Sequence, residues 1–329
     1  MTQRVPSTDS GKTVTNFRRG NAMSEVSRPV ALLQRGALIT ACIAAVPYVV
    51  LKVLWLSGST VGITSAAAAF EMSSTRVVAA NVTTVLLLLV AIVFVTALTR
   101  PWGQRVPGAV VLVLAAGATG LLAPFLLGLP IGMVVQLLSG PGASRPEVQP
   151  GLAPWVFSVV YGGFGVFAVA LAVLSAVYVV QRWPELTADV PTPSPWTTVV
   201  GVIGLVPFSA AMLFWGLSGP GSTGPQGMDS PAQRTVLVVN GALSAAALIL
   251  QATAAARRHP HIAWLVIWTG TCVAALQGPS HVLLARDGQI EPLVAVIAVL
   301  SASGATAYGL GILRHRWKRM ASQRALTAR

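Results

Sequence analysis

The sequence predicts an all-α polytopic membrane protein, with eight transmembrane helices arranged as two parallel four-helix repeats and both termini in the cytoplasm. Three observations support this prediction. Only 9% of the 329 residues are charged, whereas a soluble domain uses about 25% to cover its water-facing surface. Eight apolar segments are each long enough to cross a bilayer core of about 30 Å. The two halves of the chain also contain matching residues in the same order.

The apolar segments are continuous instead of alternating, which argues against the period-two pattern of membrane β-barrels. They lie at about 36–57, 79–99, 108–129, 154–181, 197–217, 235–256, 262–284 and 292–313. The third segment continues to Leu138 through Pro130, and we interpret this continuation as an interfacial extension.

The segments outside the apolar runs predict the domain organisation. Residues 1–30 are rich in Ser, Thr and Arg and predict a disordered cytoplasmic tail, with Met23 as the predicted native start. The predicted units are then a first four-helix repeat over 31–183, a Pro-rich cytoplasmic linker over 184–196, a second four-helix repeat over 197–313 and a basic cytoplasmic tail over 314–329. The prolines of the linker favour an extended spacer.

The distribution of Lys and Arg predicts the orientation. With the N-terminus inside, 17 of the 22 basic residues lie on the cytoplasmic side and four on the opposite side, and Lys52 completes the set. This bias follows the positive-inside rule. The net charge of +13 is therefore interpreted as a topology signal and not as a nucleic-acid-binding face. The predicted partners are the lipid bilayer and anionic lipids at the basic cytoplasmic ends, and no protein partner is identified.

The two halves share an opening motif. In each half a proline lies midway along the first apolar segment, a tryptophan follows eight residues later, and Leu-Ser-Gly stands at the exit. The residues are Pro47, Trp55 and Ser57-Gly58 in the first half, and Pro207, Trp215 and Ser218-Gly219 in the second. We predict that Pro47 and Pro207 bend their helices, and that Trp55 and Trp215 lie in an aromatic belt at the outer interface or, alternatively, stack on a ligand.

Further matches follow this motif in order. They pair Glu71 with Asp229, Arg76 with Arg234, Asn81 with Asn240, Arg100 with Arg257, Pro124 with Pro279, and Arg182-Trp183 with Arg316-Trp317. Four helices in each half would start both halves on the cytoplasmic side, so the repeat is predicted to be parallel.

A first helix that contains a proline and ends in Trp55 or Trp215 with a nearby Ser-Gly is similar to uncharacterised actinobacterial multi-pass integral membrane proteins. Arginine outnumbers lysine, which occurs only at positions 12, 52 and 318, and this usage fits a high-GC genome. The resemblance covers most of the chain and implies a multi-pass protein of a bacterial cytoplasmic membrane. It implies no chemistry and no site residues.

Two sets of an acid, an arginine and an asparagine are the first candidates for a polar site. They are Glu71, Arg76 and Asn81 in the first half, and Asp229, Arg234 and Asn240 in the second. An arginine on the outer side departs from the positive-inside tendency, so we expect it to have a partner. One interpretation is a salt bridge and helix cap that hold each loop. The other is a pair of outer pockets for a polar or anionic group.

Other polar candidates lie within the apolar segments. Gln277 and His281, four residues apart and next to Pro279, share one face of the seventh helix. They predict either an interhelical hydrogen bond or the polar lining of a cavity. Lys52, whose counterpart is Met212, is predicted to extend toward the outer surface near Ser57. The alternative is that Lys52 marks a functional difference between the halves.

Catalytic motifs are absent from the sequence. None of the nine carboxylates lies within a predicted span, which disfavours a proton-coupled carrier, and no phosphate loop or nucleophile elbow occurs. No cofactor or metal is predicted. The first interpretation is a non-catalytic protein that binds or transports a small or amphipathic molecule between its two repeats. The alternatives are a non-transporting membrane scaffold or partner subunit and, last, a membrane-embedded lipid-modifying enzyme.

Overall fold

A computed structural model describes residues 28–140, 151–186, 193–253, 258–283, 285 and 290–327 of the chain. This part is helical throughout apart from its connections. The helices are α1 (Arg28–Leu56), α2 (Ala66–Met72), α3 (Thr75–Thr99), α4 (Gly108–Leu138), α5 (Pro154–Arg182), α6 (Pro195–Ser218), α7 (Pro231–Ala252), α8 (Pro260–Leu283) and α9 (Pro292–Thr327). Short 3-10 helices follow α3 and α5, at Pro101–Arg105 and Pro184–Leu186.

All of these helices except α2 are long and apolar enough to cross a membrane, which makes eight candidate spans in the described part. The predicted class of multi-pass, all-helical membrane protein is therefore confirmed. The third span is one continuous helix to Leu138, so the predicted interfacial extension is a continuation of α4. The last helix continues to Thr327, and the described part of the predicted basic tail is helical. Residues 1–27, including Met23, and the linker residues 187–192 lie outside the described ranges.

Serine side chains begin four of the helices. Ser65, Ser74, Ser194 and Ser230 each accept a hydrogen bond from the backbone N–H three residues further on. Such N-caps satisfy donors that have no partner inside the helix. Ser230 forms a reciprocal capping box with Gln233. The caps of α2, α3 and α7 fix the chain close to Glu71 and Asp229.

The last four spans, α6 to α9, form a closed group that we call the C-terminal bundle. A glycine lies at every contact around this group. A Cβ added to Gly204 of α6 would lie 2.7 Å from Cα of Gly304 in α9, and one added to Gly241 of α7 would lie 2.9 Å from the backbone of α6. Gly270 and Gly278 of α8 approach the backbones of α7 and α9 as closely. Small residues allow membrane helices to approach closely and gain van der Waals contact.

The first four spans, α1, α3, α4 and α5, form the N-terminal bundle, which is more open. Helix α1 packs against α3 and α5, and the first half of α4 contributes Val111 and Ala115 to their common core. The second half of α4 instead packs on α7 and α8, where a Cβ on Gly120 would lie 2.3 Å from the carbonyl oxygen of Cys272. Within the described ranges α3 has at most marginal contact with α4 and α8. Helix α4 therefore passes from one bundle to the other.

At one end of the molecule, which we call the Arg182 end, arginines hold the connections between helices. Arg182 at the end of α5 donates to the carbonyl of Val106, at 2.8 Å, and to the hydroxyl of Tyr178. Arg316 on α9 donates to the carbonyls of Glu185 and Leu186, at 3.0 and 3.3 Å. The two bundles also meet through Trp183 and Trp317, whose ring centroids are 6.0 Å apart.

Candidate functional site

Lys52 lies within the candidate span of α1, one turn before the helix ends, and its side chain is half-buried. Nζ donates a hydrogen bond of 2.6 Å to Oδ1 of Asn81 on α3. It also lies 5.3 Å from the ring centroid of Tyr48 and 4.8 Å from that of Trp55, within the range of cation–π attraction. The structure thus brings Lys52 and Asn81 together, whereas the extension of Lys52 toward the outer surface near Ser57 stays a prediction.

The sequence produces this arrangement through helical spacing. Positions 48, 52 and 55 are separated by four and three residues, so they share one face of α1. Asn81 lies on the buried face of α3 and is 4% exposed. Tyr48 was missed as a site residue, although its spacing from Lys52 was a usable signal. A lysine ammonium has three N–H donors and no acceptor, so this site can offer positive charge to a ligand.

The corresponding residues of the C-terminal bundle contain no such pair. The sequence match aligns Lys52 with Met212, which is 1% exposed. Asn240 is completely buried, and neither atom of its side-chain amide has a hydrogen-bond partner in the described part. Burying an unpaired amide costs free energy. The two asparagines therefore have opposite environments.

Arg234, the arginine of the second acid–Arg–Asn set, contacts the end of a helix. Its guanidinium donates to the carbonyl of Gly216, at 3.0 Å, and to that of Leu217. These carbonyls belong to the last turn of α6, where a cation is favourable. The helix-cap interpretation is therefore supported for Arg234. Asp229 and Glu71 are exposed, and the side chain of Arg76 lies outside the described part.

Gln277 is buried in α8 and its amide nitrogen donates to the carbonyl of Gly120 in α4, at 2.8 Å. Pro124 explains why that carbonyl is free, because a proline has no N–H to donate four residues back. The predicted interhelical hydrogen bond is confirmed, and it joins the two bundles. A second bond between them runs from Nε1 of Trp268 to Oγ1 of Thr119, at 3.2 Å.

His281, one turn beyond Gln277, lies in a separate environment. Its Nε2 is buried without a hydrogen-bond partner among the described residues. It lies at a small cleft lined also by Gln226 and Glu291. Gln277 is not among the residues of that cleft, so the structure does not bring the two into one cavity lining. In the part of the chain that is described, no group of three or more His, Cys, Asp or Glu could hold a metal ion.

The two repeated tryptophans are buried, so their rings do not face lipid, and their location at the outer interface stays a prediction. Trp55 is 9% exposed and Trp215 is 1% exposed. Each indole N–H reaches the loop that follows its helix, since Trp55 donates to the carbonyl of Val61, at 2.9 Å, and Trp215 to the hydroxyl of Thr223, at 3.4 Å. Helices α1 and α6 continue through Pro47 and Pro207 without interruption.

The chain matches no known protein-family model, no curated protein and no solved structure. The resemblance to actinobacterial membrane proteins therefore stays a prediction, and any assignment of function depends on the geometry described above.

Proposed function

We propose that the chain is a non-catalytic multi-pass membrane protein that binds the anionic headgroup of an amphipathic molecule at Lys52. The observation that carries the proposal is a lysine amine within a membrane span, bonded to one neutral amide and flanked by two aromatic rings. Ionisable groups at such depths are costly and usually functional. Since no carboxylate of the described residues pairs with this amine, an anion arriving from the bilayer would supply the missing charge.

The surroundings of Lys52 suit the apolar part of such a molecule. Val50 and Val53 of α1 and Val78 and Val82 of α3 are exposed, and they flank the Lys52–Asn81 contact in sequence. Exposed apolar side chains on membrane spans face lipid tails. A bound amphiphile could therefore keep its chain in the bilayer while its headgroup reaches the amine.

This location differs from the one expected from the sequence, which was the interface between the two halves. That interface is closely packed where α4 meets α7 and α8. Cβ atoms on Gly128 and Gly132 would lie 3.0 Å from Val236 and 2.7 Å from the carbonyl oxygen of Ala232. Close packing of this kind favours a permanent contact over a ligand passage, so we place the binding site in the N-terminal bundle.

We propose further that the two bundles are parallel repeats and that both termini lie in the cytoplasm of a bacterial cell. The matched Arg-Trp pairs support the repeat, because Arg182-Trp183 and Arg316-Trp317 both hold connections at the Arg182 end. The basic residues of that end support the orientation. The open α3 side of the N-terminal bundle would then be a specialisation of one repeat.

Binding of a defined probe tests the proposal. Oleate, a single-chain anion, and oleyl alcohol, its neutral analogue, are titrated against the detergent-purified protein while Trp fluorescence is recorded, because Trp55 lies 4.8 Å from the amine. We expect oleate alone to bind at this site. We expect Lys52→Met to weaken it by roughly tenfold or more, since a hydrogen bond to a charged group contributes about 1.5–3 kcal/mol.

Two further variants serve as controls. Lys52→Arg keeps the charge and should retain most of the affinity, whereas Arg105→Met removes an exposed charge at the opposite end and should leave oleate binding unchanged. Equal binding of oleate by the wild type and Lys52→Met, or equal binding of oleate and oleyl alcohol, would refute the proposal.

A scaffold role is the second candidate, and the length of α9 favours it. The helix reaches Thr327, whereas its candidate membrane span ends at Arg319. Eight further helical residues therefore extend past the span, where they can contact another molecule. A protein that co-purifies with the full chain and is lost when residues 320–329 are removed would support this role.

A further inference from the structure

A second polar site lies at the Arg182 end of the C-terminal bundle, in a cleft between the start of α6 and the last third of α9. The cleft has a volume of about 170 Å³ and is lined by Ser194, Thr197, Gly311, Arg314, His315 and Lys318. We propose that this cleft binds the phosphate group of an anionic lipid.

The helical spacing of α9 concentrates the basic residues in the cleft. Positions 311, 314, 315 and 318 follow the intervals of three and four residues that place side chains on one face. Gly311 lets α6 approach that face, because a Cβ there would lie 2.5 Å from Cγ2 of Thr197. The first turn of α6 is therefore held next to the three basic side chains that follow on α9.

The charges around the cleft favour an anion. Arg314 and Lys318 are exposed basic side chains, and the six lining residues include no carboxylate. Nε2 of His315 is buried and has no hydrogen-bond partner in the described ranges. The start of α6 adds the partial positive charge of a helix N-terminus. The hydroxyls of Ser194 and Thr197, which are 2.8 Å apart, complete a set of groups that can donate to phosphate oxygens.

The position of the cleft identifies a lipid as the source of the phosphate. Candidate membrane spans begin at Pro195 in α6 and end at Arg319 in α9, so the cleft lies at the ends of both candidate spans. Lipid phosphates lie at this level, outside the apolar core. Basic pockets at such a position bind anionic headgroups. Lys52 belongs to a different helix, so this inference stands or falls independently of the function proposed above.

Lipid titration followed by native mass spectrometry tests the inference. The full chain is purified in detergent, stripped of lipid, and titrated with dioleoylphosphatidylglycerol, with zwitterionic dioleoylphosphatidylcholine and with inorganic phosphate as a competitor. We expect tight binding of phosphatidylglycerol only. We expect the double variant Arg314→Gln/Lys318→Gln to weaken it by roughly tenfold or more, because charge-assisted hydrogen bonds to phosphate are strong.

The matched control removes two equally exposed arginines at the same end, in Arg105→Gln/Arg319→Gln, and should change the affinity by less than about twofold. Both replaced residues of the cleft are exposed, so the test variant is expected to fold, and Lys318→Gln alone provides a milder version. Equal losses in the two double variants would overturn the proposal in favour of diffuse surface charge. Displacement of the lipid by millimolar inorganic phosphate would assign the cleft to free phosphate and overturn the lipid assignment.

Discussion

The two asparagines that the sequence match pairs, one in each bundle, differ in their hydrogen bonding. In the N-terminal bundle Asn81 accepts a hydrogen bond from Lys52. In the C-terminal bundle Asn240 is fully buried and unpaired among the described residues, and a methionine occupies the position matched to the lysine. One structural role therefore does not explain both of these asparagines, which the sequence match pairs. The difference suggests that the charge at Lys52 serves a function that one bundle alone carries.

Packing differs between the bundles in the same direction. The C-terminal bundle is closed by glycine contacts between each neighbouring pair of helices. In the N-terminal bundle, by contrast, the second half of α4 packs against helices of the C-terminal bundle. Closure fixes helix positions, because tightly packed interfaces tolerate little added volume. The comparison assigns a supporting role to the C-terminal bundle and the proposed binding site at Lys52 to the more open one.

The largest expected effect tests this difference in closure. Gly204→Leu would place a side chain into the α6–α9 contact, where Gly304 leaves no space. We expect the free energy of unfolding, measured by SDS titration in mixed micelles, to fall by about 3 kcal/mol or more, since overpacking is costly. The matched change in the N-terminal bundle is Gly165→Leu, where a Cβ meets nothing within 4 Å. It should cost less than about 1 kcal/mol, and similar losses at both glycines would break the comparison.

The second effect tests the two asparagines. Asn81→Leu removes the hydrogen-bond acceptor of the Lys52 amine, so we expect a loss of about 2 kcal/mol in the same assay. Asn240→Leu removes two unpaired polar atoms while nearly conserving volume. We therefore expect it to be neutral or to stabilise the protein by up to about 1 kcal/mol. A loss at Asn240 equal to that at Asn81 would mean that Asn240 has a partner, such as a buried water.

A lysine introduced into the C-terminal bundle sharpens this comparison and tests the proposed repeat. Met212→Lys buries an amine and should destabilise the protein. If the repeat brings positions 212 and 240 together, the loss should be smaller with Asn240 present than in the Asn240→Leu background. A double-mutant cycle should give a coupling of about 1 kcal/mol, and additivity would argue against the repeat.

The class of fold was predictable from the sequence because length and hydropathy alone determine which helices can span a membrane. Five of the eight predicted segments agree with described helices at both ends to within about four residues. Helix α1 begins at Arg28, before its predicted start at 36, and α4 and α9 continue beyond their predicted ends at 129 and 313 to Leu138 and Thr327. The short helix α2 was missed because seven residues carry little periodicity. The passage of α4 to the other bundle was also missed, since hydropathy gives no information on which apolar helices are neighbours.

The candidate site was predictable only in its residue types. Lys52 and Asn81 were both candidates, but their pairing depends on the rotation of α1 against α3, which is set by packing and not by sequence spacing. Trp55 and Trp215 were predicted at the outer interface because tryptophan is enriched there, and that prediction gave no information on whether their rings are buried. Their burial follows from the loops that fold over them and offer acceptors to the indoles.

The smallest effect concerns the contact that joins the two bundles. Gln277 supplies a donor to the carbonyl of Gly120, which Pro124 leaves without its helical partner. Gln277→Leu should cost about 1 kcal/mol, since interhelical hydrogen bonds in membrane proteins are individually weak. Pro124→Ala returns an N–H to position 124, so in that background Gln277→Leu should cost less than about 0.5 kcal/mol. Equal costs in the two backgrounds would show that Gln277 stabilises the contact by packing alone. A smaller cost of Gln277→Leu in the Pro124→Ala background would show that the Gln277 amide replaces the backbone N–H that Pro124 lacks. The C-terminal bundle would then satisfy a carbonyl of the N-terminal bundle.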